Sequence, residues 1–123
     1  MGQYYVIVNI TKGEYVEPRV GLKLREIAAN PFMAHVLFGL LAHGNGRGGG
    51  DFVDHIEVGR WYGDRIVIVG DYGDTGLYIK EVAEALGLEP TEDDLNSDLY
   101  NYIFEHGVNI SEQAYEMAKR SYR

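Results

Sequence analysis

The chain opens on an almost unbroken apolar run, Tyr4-Tyr5-Val6-Ile7-Val8-Asn9-Ile10, rich in β-branched and aromatic residues. Such a run predicts a strand buried on both faces. Thr11-Lys12-Gly13-Glu14 reads as a turn, and Tyr15-Val16-Glu17 as a returning strand that Pro18 ends. Together they form an opening hairpin. Val20 to Glu26 is ambiguous: Leu22 and Leu24 alternate, whereas Lys23, Arg25 and Glu26 favour helix. Asn30 then caps a helix whose first position is Pro31, where a missing N–H costs nothing. Phe32 to Ala42 is apolar nearly all round, which predicts a buried central helix closed by His43-Gly44.

The pattern then breaks. Gly44 to Asp51 holds five glycines in eight residues and is a loop. Ile56-Glu57-Val58-Gly59-Arg60-Trp61 and Arg65-Ile66-Val67-Ile68-Val69-Gly70 predict a second hairpin, turned by Tyr62-Gly63-Asp64, with the second arm as the central strand. Three helices follow. Leu77 to Leu86 buries Ile79, Val82, Ala83 and Leu86 and stops at Gly87. The next is capped by Thr91, with Leu95, Leu99, Tyr102 and Ile103 on one face, and closes at His106-Gly107. Ser111 caps the last, with Lys119, Arg120 and Arg123 at its C-terminal end. The expected order is ββ-α-ββ-ααα. This is an α+β fold with a mostly antiparallel sheet from two hairpins, packed on a buried central helix, as a single domain over residues 1–123.

Composition narrows the function classes. The 123 residues include no cysteine, which removes disulfides and thiolate metal sites. No apolar run reaches the length of a membrane span, and the N-terminus lacks a signal-peptide pattern, so the expectation is a cytoplasmic protein. The net charge is −8, with the acidic excess after residue 47. An acidic surface repels phosphate backbones, although Arg19, Lys23, Arg25 and Arg47 could supply a small basic face.

Three features could carry chemistry. Gly48, Gly49 and Gly50 can offer successive N–H groups as an anion nest, with Arg47 adding a fork of donors. The loop is neither a P-loop nor a dinucleotide fingerprint, and a plain connection also explains it. Second, Asp51, Asp54 and His55 precede the first arm of the expected hairpin, and Asp71 and Asp74 follow the second. The hairpin would bring Asp54, His55, Asp71 and Asp74 together to hold Mg²⁺ or Mn²⁺, and would leave Asp64 at the opposite tip. Asp and Gly are also ordinary turn residues. Third, Arg60, Trp61, Tyr62 and Arg65 could form an exposed recognition patch at the hairpin tip, or a cross-strand aromatic packing. His35 reads as a hydrogen-bonded core residue, and His43 and His106 as helix-end caps. No serine sits in a nucleophile elbow.

Three stretches carry a resemblance: Tyr4 to Asn9 with Lys12 to Tyr15; Gly46-Arg47-Gly48-Gly49-Gly50-Asp51; and Gly59 through Tyr72. They resemble a group of small uncharacterised proteins found among phages, archaeal viruses and assorted microbes. The resemblance covers patches of roughly the first 75 residues, and implies a viral or mobile-element origin, with the host cytoplasm as the setting. The reading favoured by the residues is a binding or regulatory module, not an enzyme. It would act through protein contacts and self-association, without a cofactor. The alternatives are a hydrolase of phosphoesters dependent on Mg²⁺ or Mn²⁺, and a small nucleic-acid binder.

Overall fold

The computed structural model describes residues 4–18, 23–43 and 55–121. Its elements are β1 (Tyr5–Asn9), β2 (Glu14–Val16), α1 (Leu24–Ala28), α2 (Pro31–Leu41), β3 (Ile66–Gly70), α3 (Ile79–Leu86), α4 (Glu92–Leu95), α5 (Leu99–His106), β4 (Val108–Asn109) and α6 (Ser111–Ser121). The four strands lie in the order β3-β1-β2-β4. β1 pairs antiparallel with both β2 and β3, and β2 pairs parallel with β4. The α+β class stands, with a mixed sheet.

Both faces of the sheet are covered, which gives three layers. Ile7 and Val16 point into a cluster with Met33, Leu40, Ile110 and Met117, on the α2 and α6 side. Val6, Val8 and Tyr15 point into a second cluster with Ile79, Val82 and Ile103, on the α3 and α5 side. Strand side chains alternate in direction, so an unbroken apolar β1 is what a sheet sandwiched between helices requires.

Local chemistry sets the element ends. Asn30 Oδ1 accepts the Met33 N–H at 3.1 Å, with Pro31 at the first helical position. Gly87 ends α3 in the left-handed region at φ 71°, which only glycine enters without strain. Thr91 and Asp94 cap one another reciprocally at the start of α4. Asp98 Oδ1 then accepts the Asn101 N–H at 3.0 Å and starts α5 afresh. The single helix expected after Thr91 is therefore two. Ser111 is the first residue of α6 and not its cap; its hydroxyl accepts the Glu17 N–H instead.

The second hairpin does not form. Residues 56–63 make successive tight turns, with Val58, Arg60 and Tyr62 donating to the carbonyls of His55, Glu57 and Gly59. Two further bonds explain why. Gly59 N–H donates to Gly39 O, and Trp61 N–H to Leu40 O, each at 2.8 Å. The last turn of a helix has carbonyls without intrahelical partners. The turns satisfy two of those of α2, at Gly39 and Leu40. With one arm missing, β3 pairs, among the described residues, only with β1 and lies at an edge of their sheet, and the central positions belong to β1 and β2. α2 is not wholly buried either. Met33, Val36 and Leu40 face the core, while Phe38 is 73% exposed.

Candidate functional site

Two neighbourhoods concentrate the polar and apolar features. The first is a charged network under the β1–β2 turn. Glu14 is 8% exposed and sits at the start of β2. Arg60 grips it in bidentate fashion, Nε to Oε1 at 3.1 Å and Nη2 to Oε2 at 2.7 Å. The second guanidinium arm donates to Glu57 Oε2 at 2.9 Å. Trp61, fully buried, donates its indole N–H to Glu14 Oε1 at 2.8 Å. Burial works to raise the pKa of Glu14, but hydrogen bonds from Arg60 and Trp61 and the charges of Arg60 and Lys12 outweigh it and hold the carboxyl below its ordinary value. The bonds to Glu14 in turn raise the pKa of Arg60. Alongside, Asp64 Oδ2 accepts from Asn9 Nδ2 at 2.8 Å and pairs with Lys12 at 3.1 Å, while Lys12 Nζ also donates to the Arg60 carbonyl. Every charge here has a partner within the fold, so the network fastens residues 57–64 to the first hairpin.

The second neighbourhood is the outer edge of β3. Hydrogen bonds in an antiparallel ladder alternate between bonded and non-bonded pairs. Ile10 N–H donates to Arg65 O, and Asp71 N–H to Tyr4 O, each at 2.9 Å. In the register of β1 and β3, the bonded residues of the later strand are therefore 65, 67, 69 and 71. The N–H and C=O groups of Ile66, Ile68 and Gly70 point the other way; Ile68 is exposed there, Ile66 is half-buried and Gly70 is buried. A cleft of about 270 Å³ lies there, lined by Ile68, Val69 and Gly70 and walled by Tyr72, Leu77 and Tyr78. Consecutive strand residues face opposite sides of a sheet, so a cleft touching all three runs along the strand's edge. Ile68 is 42% exposed and Tyr72 69%. Tyr78 holds φ 65°, the only described non-glycine residue with positive φ. Such a backbone costs about 1–2 kcal/mol and persists only where packing enforces it. Here the ring packs against the α3–α5 core cluster, with the Arg65 guanidinium 5.6 Å above it.

Trp61 is core and not surface, because its indole has a carboxylate partner inside the protein. Arg60 is engaged by two carboxylates. Tyr62 remains exposed and stacks on His43 at 4.7 Å, and Arg65 remains exposed. His55 accepts the Glu57 N–H at the start of the turns. Asp71 and Asp74 follow β3, where Asp71 Oδ1 accepts the Tyr4 N–H and Asp74 lies in the cleft wall. The hairpin meant to join His55 to these two carboxylates is absent. Among the described residues no three acidic or imidazole groups converge where a metal ion could be held. Asp64 stands at the opposite end of β3 from Asp71, as expected. Arg47, Gly48, Gly49, Gly50, Asp51 and Asp54 lie outside the described residues, as does Arg19. His35 Nδ1 lies 2.9 Å from Pro31 O. No helix among the described residues is long and apolar enough to cross a membrane.

Sequence reasoning missed Ile68, Tyr72, Leu77 and Tyr78 as a group. Their signal was a strand, Ile66 to Gly70, without proline or charge, flanked by Arg65 and Asp71. It becomes readable only once the strand is known to be an edge. No protein-family model, curated protein or solved structure matches the chain.

Proposed function

We propose that the protein is a binding module that acts through protein contacts, and that it takes an extended segment of polypeptide onto the open edge of β3. The observation that carries this is the row of N–H and C=O groups turned away from β1 at Ile66, Ile68 and Gly70, the last two of which line a cleft with apolar walls. Strand addition draws affinity from such main-chain groups and selectivity from flanking side-chain pockets. Long apolar edges are usually blunted by charge, proline or a bulge, because they template pairing. Ile66-Val67-Ile68-Val69-Gly70 has no charge or proline. The other edge strand, β4, has only two residues.

Ile68→Pro separates this reading from a merely apolar contact. It removes an outward donor and no bond of the β1–β3 ladder, so the fold keeps its pairing. Fluorescently labelled protein is passed over an array of random eight-residue peptides. Wild type retains peptides with alternating apolar residues, and Ile68→Pro retains none of them. Retention of the same peptides by both proteins overturns the reading.

A further inference from the structure

The occupant of the β3 edge has a chemistry that β3 itself supplies. Resting on the strand-addition reading, we propose that a second copy of this chain pairs its own β3 antiparallel against the first, about a twofold axis at Ile68.

The register follows from parity and charge. Within β3, Ile66, Ile68 and Gly70 turn their main-chain groups away from β1, Gly70 from a buried position at the cleft floor, so an added β3 must place these opposite one another. With Ile68 facing its own mate, Ile66 faces Gly70 of the other copy, and the bonded pairs all match. Arg65 then faces Asp71 of the other copy at one end of the pairing, and Asp71 faces Arg65 at the other. Sliding the pairing by two residues keeps the main-chain parity but sets Arg65 against Val69 or Gly73 and leaves both charges unmatched. Opposite residues of an antiparallel pair share a face, so the Arg65 and Asp71 side chains meet on the α3–α5 side. The same register packs the half-exposed Ile68 against its twin and closes Tyr72 and Leu77 over the incoming strand. The symmetry is that of an isologous dimer, the commonest kind. The ends of the strand are thus opposite in charge and self-complementary, in place of the like charges that keep edges apart.

The test is the mass of the full-length protein by sedimentation equilibrium across a concentration series, with circular dichroism to check folding. Wild type is a dimer. Arg65→Glu and Asp71→Arg each set like charges opposite one another twice per dimer and weaken association at least tenfold. The double variant Arg65→Glu/Asp71→Arg exchanges the charges and returns the dimer, which a merely misfolded single variant would not do. Ile68→Pro is monomeric. A wild-type protein that stays monomeric at millimolar concentration, yet retains array peptides that Ile68→Pro does not, overturns the second copy and keeps strand addition. A dimer indifferent to all four variants overturns the inference, since its interface lies elsewhere. A monomer that also retains no peptide overturns both readings.

Discussion

At the scale of the residue, Glu14 is the point on which the chain's first hairpin and residues 57–64 depend. It accepts from Arg60 twice and from Trp61 once. Removing its charge strands a guanidinium that has lost its bidentate partner. Glu14→Gln should lower stability by about 1.5–3 kcal/mol in urea unfolding, the range for hydrogen bonds to charged groups. Because the folded pKa of Glu14 is held below its ordinary value of 4.5, the carboxylate's contribution is complete above that value. It is lost as pH falls through the folded pKa. The stability gap between wild type and Glu14→Gln should therefore be flat near neutrality and narrow below about pH 4.5. A gap that persists undiminished in acid would place the stabilisation in shape and not charge. None of this was legible in the sequence around Trp61. Next to Tyr62 and between two arginines it read as an exposed anchor. The partner that draws it inside is 47 residues away along the chain.

Tyr78 offers a second test at this scale. Its left-handed backbone favours glycine over alanine by about 1 kcal/mol, the reverse of what helix propensity would give. Both substitutions lose the ring's packing on the core cluster and its contact with Arg65. Tyr78→Gly should nonetheless melt above Tyr78→Ala by a few degrees. Alanine melting higher would mean that the backbone at this position relaxes freely once the ring is gone.

At the scale of the element, β3 is defined by which of its amides face β1. Val69→Pro removes a bonded N–H and brings the ring into the ladder; it should cost about 3 kcal/mol or more. Ile68→Pro one residue earlier removes an amide that β1 does not use, and should cost clearly less. Denaturant midpoints of the two variants read this parity directly; equal losses would mean the pairing register differs from Tyr5↔Gly70 through Asn9↔Ile66. Elements with a local signature were legible: the opening hairpin, the Asn30-Pro31 start of α2, the Gly87 stop of α3 and the Thr91 cap. Elements decided by distant partners were not. Ile56 to Trp61 has the composition of a strand, but the free carbonyls of Gly39 and Leu40 bind it as turns. Leu95, Leu99, Tyr102 and Ile103 keep helical spacing across a break that Asp98 introduces by capping a new helix.

At the scale of the whole molecule, sheet order was the least legible property. β4 holds two residues and joins β2 only because Val108 N–H and Ile110 N–H reach the carbonyls of Gly13 and Tyr15. No periodicity marks so short a strand. Yet sheet order decides that β3 is an edge, and so decides where a partner strand could enter. It also sets the electrostatics of association. Each copy carries a net charge of −8, so two copies repel at long range. The proposed Arg65–Asp71 contacts attract only at close range. Salt screens the first effect more than the second, because charges in contact and partly desolvated are screened much less than charges a Debye length apart. Raising ionic strength from about 0.01 M to about 0.15 M shortens that length from roughly 30 Å to roughly 8 Å. The dimer should therefore tighten over this range, and the melting temperature should rise with protein concentration because association stabilises the folded state by mass action. In Arg65→Glu the long-range repulsion is greater and the contacts themselves repel, so its response to salt should be steeper than that of wild type. Sedimentation equilibrium of both proteins at the two salt concentrations reads the difference. A wild-type dimer that loosens steadily with salt would mean that attraction between charges, not the pairing of apolar edges, holds it together.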